Sequence, residues 1–94
     1  MSTKKIERFC EVRIGQVVYD PKNQEFCVVF QLFPLFHYCP LRKDHELEII
    51  NARGIRDRIT FPDLQSNYIP HNKILDESDW QAHQQILQSL KAQL

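Results

Sequence analysis

The chain has 94 residues, 43% hydrophobic and 26% charged, the composition of one ordinary globular domain with a single modest core. Its 12 basic and 12 acidic residues cancel to a formal net charge of zero, which excludes the broad positive footprint of a dedicated phosphate binder and leaves room only for a local basic patch. No apolar run approaches the roughly 18 residues of a spanning helix, and the start, MSTKKIERFCEV, carries no apolar signal-type stretch, so a cytoplasmic chain without membrane contact is expected.

Residues 1–8 are polar and read as a frayed start, and residues 9–12 (FCEV) read as a short strand. The densest signal is residues 14–34, IGQVVYDPKNQEFCVVFQLFP. Val17, Val18 and Tyr19 favour strand, Asp20-Pro21-Lys22-Asn23 is a turn signal, and residues 26–33 are β-branched and aromatic again. The pattern predicts a hairpin of residues 14–19 and 26–33, with Phe26, Val28 and Phe30 facing the core. Residues 34–43, PLFHYCPLRK, lie between Pro34 and Pro40, and because proline has no N–H to donate, ladder pairing should stop there.

Residues 46–51 (ELEIIN) and 55–61 (IRDRITF) flank Ala52-Arg53-Gly54, a second predicted hairpin with Gly54 supplying a positive φ. In its second arm Ile55, Asp57, Ile59 and Phe61 share one face, and Arg56, Arg58 and Thr60 share the other. Tyr68-Ile69-Pro70, with Ile74 and Leu75 behind it, reads as a closing strand or a 3-10 turn. Ser78-Asp79-Trp80-Gln81 then fits a capping box that opens a helix. Trp80, His83, Leu87, Leu90 and Leu94 recur at spacings of 3, 4, 3 and 4, with Ile86 beside them, so the helix carries one apolar stripe opposite a face of Gln and Ser. The expected fold is mainly β (α+β): a single domain holding a small SH3-like antiparallel barrel or bent sheet over residues 9–75, closed by an amphipathic helix over 78–94.

The stretch 14–34 resembles the opening of the HspQ family, also called the hemimethylated-DNA-binding (YccV-like) domain. Ile14-Gly15-Gln16, Val18, Val28-Val29 and Pro34 match its pattern without a gap. Residues 68–75, YIPHNKIL, are similar to the closing strand of SH3-like barrels, where an aromatic leads through a polar turn to a final Leu. The chain departs from the family at Cys27, where a Gly usually precedes the Val run, and at Asp44-His45-Glu46-Leu47, where a Trp-Tyr pair usually stands. The resemblance covers about half of the chain and implies an SH3-like barrel, DNA contact and help in presenting substrates to a protease.

Chemistry-bearing motifs are sparse. Cys10, Cys27 and Cys39 are odd in number and lack paired spacing, so reduced, structural thiols are expected. His37 and Cys39, with Cys27 and His45 nearby in sequence, lack the CxxC-like pairing of a zinc site, so neither a metal nor another cofactor is expected. A Cys39 nucleophile with His37 as base would lack an orienting carboxylate and an oxyanion hole, so no enzyme is expected. Arg53, Arg56 and Arg58 gather three guanidiniums that suit phosphate, although charge on an edge hairpin also guards against aggregation. Phe33, Leu35, Phe36 and Tyr38 make an apolar loop that must bury itself under the helix or against a partner. The stripe of Trp80, His83, Leu87, Leu90 and Leu94 docks on the barrel or forms a homodimer contact. These residues point to a non-enzymatic binding module that takes a protein partner through Phe33, Leu35, Phe36 and Tyr38. The alternative is a DNA-associated module that contacts phosphates through Arg53, Arg56 and Arg58.

Overall fold

The structure, a computed structural model, describes residues 6–35, 43–75 and 80–93. Five strands are present: β1 (Gln16–Asp20), β2 (Glu25–Phe33), β3 (Glu46–Asn51), β4 (Arg56–Thr60) and β5 (Ile69–Ile74). They form one antiparallel sheet in the order β4-β3-β2-β1-β5. Helix α1 (Phe61–Asn67) carries the chain from β4 to β5, and helix α2 (Trp80–Ala92) follows the last strand. The α+β expectation holds, and of barrel or sheet the structure takes the sheet: it stays open, with β4 and β5 as its two edges. Among the described residues no helix is long and apolar enough to cross a membrane.

Both hairpins form where the turn residues demand them. Asp20 accepts at Oδ1 from the amide of Lys22 at 3.0 Å and at Oδ2 from the side-chain amide of Asn23 at 2.7 Å, so the first turn is organised by its own leading carboxylate. In the second turn Asn51 Oδ1 accepts from the amides of Arg53 at 2.9 Å and Ile55 at 3.1 Å, and Gly54 adopts φ 82°. Gly15 closes a third junction. Its amide donates to the Val29 carbonyl and its carbonyl accepts from the Leu75 amide, both at 2.8 Å, so it ties β1 to β2 and to the end of β5.

Alternation divides the sheet into two buried faces. Val18, Cys27, Val29, Leu47 and Ile49 pack with Val12, Phe61 and Leu64 on one side. Val17, Phe26, Val28 and Ile50 pack with Leu75 and Leu87 on the other. Central strand β2 is therefore covered twice, which is why its run from Glu25 to Val29 is buried at every position. Of the residues expected to face the core, Phe26 and Val28 are buried and Phe30 is half-buried, while Cys27 and Val29 are buried on the opposite side.

Two further expectations change. Residues 9–12 do not form a strand: Phe9–Glu11 is a 3-10 turn in which Glu11 Oε1 accepts from the amides of Glu7 and Arg8, and the Val12 amide donates to the Phe9 carbonyl. Local partners satisfy these backbone groups without a ladder. The frayed start does not extend through Ile6 and Glu7, because Ile6 packs against the Val18–Leu47 face and Gln65 Nε2 donates to the carbonyls of Ile6 and Glu7. Phe61 ends no strand. It opens α1, since Thr60 Oγ1 caps the amide of Asp63 at 3.3 Å and Pro62 sits in the first turn where it loses no bond. The expected capping box at residues 78–81 falls largely on residues outside the described ones.

Candidate interaction surfaces

The arginine hairpin and the aromatic strand meet on one face because of a single extra residue. Val29 pairs with Ile49, but Gln31 pairs with Glu48, so Phe30 is inserted as a bulge and side-chain parity reverses beyond it. Without the bulge Phe33 would share the side of Cys27 and Val29. With it, Leu32 takes that side and Phe33 lies across from Glu46 on the α2 side. The β4 register places Arg56 opposite Ile50 and Arg58 opposite Glu48, with Asp57 on the far side as the period-two reading predicts. The guanidinium of Arg58 then lies 4.0 Å from the Phe33 ring centre and that of Arg56 lies 5.2 Å from Phe30.

Each of the three arginines has a carboxylate within reach. Arg58 Nε donates to Glu46 Oε1 at 2.6 Å, Arg56 lies 3.9 Å from Glu48, and Arg53 lies 3.6 Å from Glu25. The arginine side chains remain largely exposed, so each pair contributes little stability. The pairs nevertheless cancel the local positive charge of the hairpin.

The apolar loop candidates separate into two groups. Phe33 is half-buried against Arg58, and Leu35 is half-buried with its amide donating to His45 Nδ1 at 2.8 Å. His45 in turn stacks on Phe9 with ring centres 4.4 Å apart, which fixes the imidazole that holds the Leu35 amide. Phe36 and Tyr38 lie outside the described residues, as do His37, Cys39, Leu94 and the side chain of Trp80. On α2, Leu87 and His83 are buried at 0% and 2% exposure, and Ile86 and Leu90 pack half-buried beside them. The described part of the stripe is docked on the sheet.

Two concavities lie beside or apart from the predicted site residues, the first touching them only at Arg53 and Arg56. The first is polar, about 260 Å³, and opens where the two hairpin turns approach each other. Buried Asp20, Glu25 and Asn51 wall it, together with Asp57, Arg53 and Tyr68. Burial pushes the Cys27 thiol up from 9.0 to about 12, helped by the negative charges of Glu25, Asp20 and Asp57. The Tyr68 hydroxyl is raised to about 12 by burial first and Asp20 second. Both groups are therefore protonated at neutral pH, and Cys27 is an inert thiol rather than a nucleophile. Among the described residues no three His, Cys, Asp or Glu side chains converge as metal ligands.

The second concavity is an apolar groove of about 310 Å³ between residue 6, α1 and β5. Ile6, Leu64, Tyr68, Ile69 and Pro70 line it with Val18, and among the described residues none in the lining is charged. Ile69 stands 53% exposed on edge strand β5. The sequence signal for this surface was the same Tyr68-Ile69-Pro70 triplet that marked the closing strand. Only the return of β5 beside β1, with Ile69 opposite Tyr19, sets it against Leu64 and Ile6.

No family model, curated protein or solved structure matches the chain.

Proposed function

We propose that the chain is a non-enzymatic protein-interaction module that holds an apolar segment of a partner protein in the groove between α1 and β5. The observation that carries this reading is Ile69, 53% exposed at the rim of a mostly apolar groove of about 310 Å³ whose described lining carries no charge. An exposed apolar patch costs free energy in water that a partner's surface recovers, and such patches mark interaction sites. Recognition here runs through side chains more than through strand addition, because Pro70 brings no N–H to either side of β5. The non-enzymatic character is supported by the protonated, buried Cys27 and by His45, whose Nδ1 is engaged by the Leu35 amide. The nucleic-acid alternative, which the HspQ resemblance also implies, is weakened by the carboxylate partners of Arg53, Arg56 and Arg58. The competing reading places the partner on Phe33, Leu35, Phe36 and Tyr38, the last two of which lie outside the described residues.

Affinity capture of the tagged protein from its native host, with and without nuclease, separates these readings. A captured protein should survive nuclease treatment, and Ile69→Asp should abolish its capture while the melting temperature stays within a few degrees, as expected for a surface substitution. Capture lost with Phe36→Ala but retained with Ile69→Asp would move the site to the loop. Capture lost on nuclease treatment would favour the arginine hairpin.

A further inference from the structure

We infer that α2 is a displaceable cover: it undocks from the sheet as a unit while the five strands and α1 stay folded, and its departure bares an apolar sheet face. The backbone ladder is complete without it, since β1 to β5 pair among themselves and Gly15 bonds both Val29 and Leu75. The core on the far side of the sheet is closed by Val12, Phe61 and Leu64, none of which belongs to α2. By contrast, among the described side chains α2 rests on the sheet through one fully buried apolar residue, Leu87, with His83 beside it and Ile86 and Leu90 only half-buried. Its outward positions Gln81, Gln85, Gln88 and Ser89 are exposed and polar. A helix of 13 residues is marginal by itself, so undocking and unwinding go together. Elements held by few buried contacts open at lower free energy than a central sheet. The surface uncovered belongs to the cluster of Val17, Phe26, Val28 and Ile50, with which Leu87 of α2 packs in the docked state. This differs from the groove beside β5, and the two ideas stand or fall separately.

Hydrogen exchange on the intact protein tests the inference. In the wild type the amides of α2 should exchange together and at least tenfold faster, relative to their intrinsic rates, than the most protected amides of β2 and β3. The decisive variant is Ile49→Val, which trims the core on the far side of the sheet. If α2 opens alone, that contact is intact in both docked and undocked states, so α2 exchange is unchanged while the β2 and β3 amides speed up roughly three- to tenfold. Leu87→Ala should instead accelerate α2 by about thirtyfold or reach the unprotected limit. Equal protection of α2 and β2 in the wild type, or equal acceleration of both by Ile49→Val, would show that α2 leaves only when the whole domain unfolds and would overturn the inference.

Discussion

Replacing Gly15 by alanine should be among the most damaging single-methyl changes available to this chain. Gly15 adopts φ 95°, a conformation in which an L side chain is strained, at a cost of roughly 1–3 kcal/mol. A Cβ built there would lie 2.2 Å from the Leu75 carbonyl oxygen, and that oxygen is backbone, so the neighbour cannot simply rotate away. Relieving the clash means moving the end of β5, which stretches the Leu75 amide bond to the Gly15 carbonyl and adds about 1–3 kcal/mol of overpacking and lost pairing. Alanine also restricts the unfolded chain, which returns about 0.4–1 kcal/mol. The sum is a loss of about 2–5 kcal/mol, or roughly 10–30 °C in melting temperature for a domain of this size. Gly54→Ala is the internal control. Its φ of 82° carries the same strain, but the nearest atom, 2.8 Å away, is the side-chain amide of Gln84, which can swing aside. Gly54→Ala should therefore cost about 0.5–2.5 kcal/mol, the conformational strain less the same unfolded-chain return. Thermal unfolding followed by circular dichroism measures both. A Gly15→Ala protein that melts within 3 °C of wild type, or that is no more damaged than Gly54→Ala, would refute the close-approach reasoning.

Three further outcomes follow from burial. Leu87→Ala removes the fully buried side chain of α2 and should cost about 2–5 kcal/mol, read as a fall in denaturation midpoint; Gln88→Ala on the exposed side of the same helix should leave it unchanged. Cys27 makes stability fall in alkali. Its folded pKa, about 12, lies above its unfolded value near 9.0, so the folded state holds the proton more tightly. The contribution is full below pH 9 and is lost progressively as pH rises toward 12. A Cys27→Ala variant should show a shallower decline across that window. Thiol alkylation at neutral pH should likewise mark exposed Cys10 well before Cys27. An equal decline in both proteins, or faster labelling of Cys27, would contradict the burial argument.

Much of the local architecture was legible because its causes are local. The turns at Asp20 and Gly54 are set by side-chain oxygens and a tolerated positive φ, which the residues carry wherever the chain goes. The split of Arg56 and Arg58 from Asp57 is strand parity, and the burial of His83 and Leu87 is helix periodicity; both are counts along the chain. Even α1, which the hydrophobic pattern did not suggest, left a local trace in Thr60, Pro62 and Asp63. What lay beyond sequence is what depends on pairing between distant segments. The bulge at Phe30 is invisible in a run of β-favouring residues, yet it turns Phe33 to the α2 side and puts it under Arg58.

The carboxylates that neutralise the arginines come from β2 and β3, so three cations that look like a patch in sequence became three ion pairs in space. The groove beside β5 exists only because an open sheet leaves that strand at an edge beside α1 and Ile6. Composition, periodicity and turn chemistry thus determined the elements and their inward faces, since a residue's conformational preference travels with it. Which edge stayed open, which charges cancelled and where an apolar surface met water were decided by register and packing, which no single segment encodes.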